Sequence, residues 1–129
     1  MHGLHLTADL HDCQCDPRWM TDAPLLLAAV TRAVAAAGLT PVGQLAHPFA
    51  ATPAGPGGVT CAVLLAESHL CLHTWPEQGS VALDVYVCNF SADHSAAARA
   101  LHAALVTLFV PGRVTPHTLQ RGSIAAPPA

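Results

Sequence analysis

The stretch Val59 to Cys88, VTCAVLLAESHLCLHTWPEQGSVALDVYVC, decides the fold. Its opening run, VTCAVLLAE, is nearly continuously apolar, as in a strand covered on both faces. HLCLHTW (69–75) and VALDVYVC (81–88) instead alternate with the period of two that marks a half-buried strand. Between them, EQGS supplies the glycine and small polar residue of a turn. If HLCLHTW is one regular strand, His69, Cys71, His73 and Trp75 share a face.

Upstream, ATPAGPGG (51–58) is a Pro/Gly loop on which no regular element propagates, and TPVGQLAHPF (40–49) reads as another strand. Before that, LLLAAVTRAVAAAG runs at helical period, capped by Thr21 or Asp22, with Pro24 in its first turn and Gly38 as its stop. LHLTADL (4–10) alternates as a first strand and leads into the turn-rich HDCQCDPRW. Downstream, SADHSAAARALHAALVTLF is a second helix opened by Ser91 or Asp93 and ended before Pro111-Gly112. RVTPHTLQRG is a last strand that Pro116 confines to an edge or a bend, and the tail SIAAPPA is expected to fray. Strand, helix, four strands, helix, strand provides too few helices for parallel crossovers throughout. The expected fold is therefore α+β: a two-layer sandwich, a mainly antiparallel sheet with two helices packed on one face. At 129 residues the chain is one domain, 1–129.

With 52% hydrophobic and 10% charged residues the chain is too apolar to be disordered. No apolar run reaches the ~18 residues of a membrane span. The start MHGLHLTADLHD has neither the basic end nor the apolar stretch of a signal peptide, so a cytoplasmic chain with its five cysteines reduced is expected. All five basic residues are arginine. The absence of lysine excludes a phosphate loop ending in Gly-Lys-Ser/Thr and a pyridoxal phosphate held by a lysine. Five scattered arginines make no basic stripe, so neither nucleic acid nor a membrane is an expected partner.

Taken singly, Ser68 is an ordinary strand-end serine, the histidines are structural and the cysteines are small hydrophobes. Taken together, ESH at 67–69, HTWPE at 73–77 and a strand ending in D-x-x-x-C at 84–88 resemble the bacterial S-adenosylmethionine decarboxylase proenzymes, a pyruvoyl-dependent family. His5-Leu6, a cysteine after the first strand and His47-Pro48-Phe49 ahead of the Gly58-Val59 strand extend the resemblance over most of the chain. The lysine-free composition fits, because amino-acid decarboxylation here needs an electrophile other than pyridoxal phosphate.

The resemblance implies self-cleavage between Glu67 and Ser68, giving 1–67 (beta chain) and 68–129 (alpha chain). The Ser68 hydroxyl attacks the preceding carbonyl, an ester replaces the amide, and elimination leaves a pyruvoyl group in place of the serine. His73 matches the family histidine that removes the α-proton, a task for an imidazole near neutral pKa. Thr60 stands where the family usually has a processing serine, so slower or altered processing is expected. Cys88 matches the acid that returns a proton to the substrate α-carbon after CO2 leaves.

By the same resemblance Phe49 and Trp75 sandwich the adenine and attract the sulfonium, and Glu77 accepts the ribose hydroxyls. Together they favour S-adenosylmethionine over ornithine or arginine, which family relatives also decarboxylate; the product would serve spermidine biosynthesis. Two departures bear on substrate: Asn89 where a glycine usually follows the cysteine, and a longer loop from Ala50 to Gly57. The other readings are a metal-binding protein, using His11, Cys13 and Cys15 or His69, Cys71 and His73, and a regulatory paralogue that never cleaves. The resemblance implies no metal among the site residues. Family resemblance also implies a homodimer of cleaved protomers with sites at or near the interface, which a sheet with one uncovered face makes physically reasonable.

Overall fold

The computed structural model describes residues 2–122; the tail read as fraying lies outside the described residues. Its elements are β1 (Gly3–His11), α1 (Arg18–Thr21), α2 (Ala23–Ala36), β2 (Pro41–Pro48), β3 (Val59–Leu65), β4 (Ser68–Trp75), β5 (Ser80–Cys88), α3 (Ser95–Phe109) and β6 (Arg113–Arg121), with a 3-10 turn at Pro76–Gln78. The six strands form one sheet in the order β2-β3-β4-β5-β1-β6, and every neighbouring pair is antiparallel. Pro116 therefore stands on an edge strand, opposite Ala8 of β1, where the expected confinement to an edge is met.

Alternation along the strands sorts the two faces. Leu4, Leu6, Ala8 and Leu10 of β1, Val59 to Leu65 at alternate positions of β3, Leu70 and Leu72 of β4, and Val81 to Val87 at alternate positions of β5 are buried under the helices. On α2 the buried residues Leu26, Val30 and Val34 recur every four positions. On α3 they are Ala98, Leu101, Leu105 and Phe109, so each helix turns one stripe to the sheet. Full burial of each such leucine contributes about 1.5–3 kcal/mol. Thr74, the buried polar residue of this core, donates its hydroxyl to the Met20 carbonyl at 2.6 Å and accepts the Val59 N–H at 2.9 Å. It ties α1 to the start of β3.

Of the two cap candidates for α2 it is Asp22 that caps, accepting the Leu25 N–H at 3.1 Å. Two local details depart from the sequence reading. The short α1 is an added turn, anchored through Met20. The last helix starts at Ser95, because Asn89 Oδ1 accepts the His94 N–H at 2.8 Å and Asp93 accepts the Ser95 N–H at 2.9 Å. Residues 91–94 are thus held as a capping loop. Among the described residues, no helix is long and apolar enough to cross a membrane.

The opposite sheet face carries no helix. It presents Leu45, 68% exposed, Leu64, 55%, and Leu119, 48%, beside a row of histidines and polar groups. Both groups of candidate site residues are strung along the strands that build this bare face.

Candidate active site

Leu65 pairs with Ser68 across β3 and β4, which leaves Ala66 and Glu67 as a two-residue turn. Glu67 has φ 64°, the left-handed region that costs a non-glycine residue about 1–2 kcal/mol. The backbone is therefore strained next to the Glu67–Ser68 bond. Ser68 Oγ accepts the Cys88 N–H at 3.1 Å, closing the gap where the β4–β5 ladder ends. Ser91 Oγ donates to Glu67 Oε2 at 3.5 Å, and the Asn89 N–H donates to the His2 carbonyl at 2.7 Å. Glu67, Ser68 and Cys88 thus form one cluster, with the loop after β5 laid against it.

The second cluster lies at the other end of β4. Thr60 is the cross-strand partner of His73, and Thr60 Oγ1 is 2.8 Å from His73 Nδ1. His73 Nε2 is 3.6 Å from Cys71 Sγ, and its ring centroid is 6.0 Å from that of Trp75. Phe49 packs edge-on to His47 with ring centroids 4.8 Å apart. These residues open on a cleft of about 340 Å³ lined by Phe49, Thr60, His73, Trp75 and Glu77. Two glycines make this approach possible. A Cβ on Gly58 would stand 1.9 Å from the Thr74 carbonyl oxygen, and one on Gly57 would stand 2.0 Å from that of Phe49.

Within one chain the two clusters are separate. Ser68 and His73 lie five positions apart on one regular strand, roughly 17 Å at the rise of an extended chain. Their parities also differ: His73 alternates with the buried Leu70 and Leu72, whereas Ser68 shares their phase. The structure brings Ser68 to Cys88 and His73 to Thr60, Phe49, Trp75 and Glu77, and leaves the two sets at opposite ends of β4.

Sequence reading missed a third group on the bare face. His5 Nε2 is 3.3 Å from Asp84 Oδ1, Arg121 donates to His5 Nδ1 at 3.1 Å, and His69 Nε2 is 3.8 Å from Asp84 Oδ1. The Arg121 guanidinium lies 5.1 Å from the Tyr86 ring centroid. The donation from Arg121 leaves His5 Nδ1 as acceptor, so its hydrogen sits on Nε2 and points at Asp84. Same-face alternation on β4 and β5 was the available signal, but the participation of β1 and β6 needed the register. Among the described residues, no three His, Cys, Asp or Glu side chains are gathered to hold a metal ion. Burial, followed by the charge of Cys71, pushes the Cys61 thiol up to about 11, and burial with Asp84 raises Cys71. Both stay protonated near neutrality.

A family model described as S-adenosylmethionine decarboxylase matches residues 4–122. The chain is 41% identical over 95 residues to the S-adenosylmethionine decarboxylase proenzyme of Parasynechococcus marenigrum, covering 74% of this chain and 66% of that one, just under two thirds of its length. It is 37% identical over 123 residues to the proenzyme of Symbiobacterium thermophilum, covering 95% of this chain and 84% of that one. The crystal structure of the adenosylmethionine decarboxylase from Aquifex aeolicus superposes with a TM-score of 0.82 at 30% identity, covering 98% of this chain and 96% of that one. Family model, relatives and fold agree: the chain belongs to the S-adenosylmethionine decarboxylase family.

Proposed function

We propose that this chain is a proenzyme that cuts itself between Glu67 and Ser68 and decarboxylates S-adenosylmethionine, with each site assembled from two copies of the chain. Family membership and the names of the relatives support the substrate and the proenzyme character. The observation that carries the two-copy arrangement is the separation of roughly 17 Å between Ser68 and His73. Proton transfer needs heavy atoms about 2.6–3.2 Å apart. A second copy laid on the bare sheet face with its β4 reversed brings its His73 end over the Ser68 end of the first. Burial of Leu45, Leu64 and Leu119 favours such packing.

Ser68 fits conversion to a pyruvoyl group. Its hydroxyl is oriented by the Cys88 N–H beside a strained turn, and an acceptor bond from a backbone donor leaves the hydroxyl hydrogen free to be removed. The Ser68 oxygen bonds to the Glu67 carbonyl carbon as the peptide C–N bond breaks. The partner's imidazole at the position of His73 then takes the Ser68 α-proton, Glu67 leaves as a carboxylate, and water replaces the nitrogen as ammonia. Once formed, the group supplies a carbonyl that joins the substrate amine and accepts electrons as CO2 leaves. Cys88, whose backbone N–H meets Ser68 Oγ, is assigned the return of a proton to the substrate α-carbon, the role that the family resemblance implies. Phe49 and Trp75 offer aromatic faces to the base and sulfonium, and Glu77 offers a carboxylate to the ribose hydroxyls.

Co-expression of two inactive chains tests the arrangement. Ser68→Ala lacks the nucleophile and His73→Ala lacks the base, so each alone stays uncut. In a mixed dimer the His73→Ala chain receives its imidazole from the Ser68→Ala partner and is cleaved. No cleavage in co-purified mixed dimers overturns the two-copy site. A wild-type chain that is folded, intact and inactive on S-adenosylmethionine overturns the whole reading.

A further inference from the structure

The cleft at the His73 end has a wall that the site residues do not account for. Its strand side is Phe49, Thr60, His73, Trp75 and Glu77; the facing side is built by Ala50, Thr52, Pro56 and Gly57 of the loop between β2 and β3. That loop is not a slack connection. The Thr52 N–H donates to the Gly55 carbonyl and the Gly55 N–H donates to the Thr52 carbonyl, both at 2.9 Å. Thr52 Oγ1 accepts the Ala54 N–H at 3.2 Å, and the Phe49 N–H donates to the Gly58 carbonyl at 2.9 Å. Gly55, at φ 131°, occupies a conformation that side-chain-bearing residues rarely adopt. The loop is thus closed at its base and again at its tip. Gly57 lies so close to the Phe49 backbone that a side chain there would displace it, which fixes the loop against the residue bearing the aromatic ring.

We infer that residues 50–57 are a specificity element: a preformed wall that turns the exposed aromatic shelf of Phe49 and Trp75 into a slot for the flat base of a nucleoside. The inference rests on the reading of this cleft as the nucleoside end of the site, and it adds the loop as the part that selects for the base. The chemistry of the lining suits that ligand. Phe49 and Trp75 are 54% and 40% exposed, so ring surface is available, while Ala50 and Pro56 add two apolar residues to the lining. Thr52 Oγ1 accepts the Ala54 N–H, which holds the residue in the wall and leaves its hydroxyl hydrogen able to donate to a polar atom in the slot. The Glu77 carboxylate also lines the cleft, where it can meet a vicinal diol. A closed slot strengthens stacking because it removes water from both faces of the base.

The test uses the cleaved wild-type enzyme and two variants: one with Asn-Gly in place of residues 51–56, and Pro56→Gly, which keeps the loop length. Melting temperature and circular dichroism establish that each is folded. Binding of 5′-methylthioadenosine, which carries the nucleoside without the amino acid, is measured by titration calorimetry. The dissociation constant is expected to rise roughly tenfold in the shortened loop and to rise by a smaller factor in Pro56→Gly, with the KM for S-adenosylmethionine rising in parallel. Folded variants that bind 5′-methylthioadenosine as tightly as wild type overturn the inference. The proposed activity fails separately: a wild-type enzyme that does not decarboxylate S-adenosylmethionine overturns that reading, while loop-dependent nucleoside binding still supports the wall. If the shortened chain does not fold, the Pro56→Gly result decides alone.

Discussion

Thr60 and His73 face each other across β3 and β4, with Thr60 Oγ1 2.8 Å from His73 Nδ1. For His73 Nε2 to accept a proton, Nδ1 must carry the ring hydrogen and donate it to the Thr60 oxygen. Thr60 is then a positioning residue that sets the tautomer. Thr60→Val, which keeps the shape and loses the acceptor, should slow self-cleavage by roughly tenfold to a hundredfold, and Thr60→Ser should restore it. Gel-resolved cleavage time courses of the three chains check this, and equal rates for valine and threonine would remove Thr60 from the mechanism.

Glu67 sits in the left-handed region immediately before the scissile bond. Glycine adopts that conformation without a Cβ penalty, so Glu67→Gly should stabilise the uncut chain by about 1 kcal/mol and slow its cleavage. Urea unfolding of Ser68→Ala with and without the second substitution measures the first effect. A second substitution that leaves the midpoint unchanged would mean that the turn stores no strain.

Cys88 touches Ser68 through its backbone N–H, which survives any side-chain change at that position. Cys88→Ala should therefore still self-cleave, yet lose roughly two to four orders of magnitude in turnover if the thiol is the acid that protonates the substrate α-carbon. It should also inactivate faster during turnover, because misplaced protonation at the cofactor carbon destroys the catalyst. Cleavage, rate and inactivation measured on one preparation distinguish this from a space-filling role, for which alanine and serine variants would match wild type.

His102, on α3, is half-buried, and its Nε2 has no hydrogen-bond partner among the described residues. Burial holds its pKa below the usual histidine value. The folded chain then binds fewer protons than the unfolded chain, whose histidines titrate near ~6.5. Its contribution is fully present above that value and is lost as pH falls through the lower folded pKa. In an uncut Ser68→Ala background, the drop in urea midpoint between about pH 7.5 and about pH 5 should be smaller for His102→Leu than for its parent. Equal drops would place the acid sensitivity elsewhere.

The alternation in HLCLHTW and VALDVYVC made β4 and β5 legible, because a strand with one covered face writes its period directly into the residues. The apolar run of β3 was legible as a strand, but not its half-exposed state: Leu64 is solvent-facing although nothing in VTCAVLLAE marks it. On a face that no helix covers, an apolar run does not tell a buried position from an exposed one. The start of α3 was read four residues early for a similar reason. Its capping loop depends on Asn89, and only the bonds from Asn89 to His94 and Ser95 distinguish a capping loop from a first helical turn.

By itself the sequence determined the mainly antiparallel α+β class, which follows from short-range period, and it carried the motif from Glu67 to Glu77 on which the family resemblance rests. Tertiary structure decided which of those residues meet. Cys88 reaches Ser68 because β4 and β5 pair in one register, Thr60 reaches His73 because β3 and β4 pair in one register, and Ser68 and His73 stay apart because a single extended strand joins them. Register belongs to pairs of strands and not to any one of them; a shift of one residue would turn every side chain to the other face and dissolve both clusters.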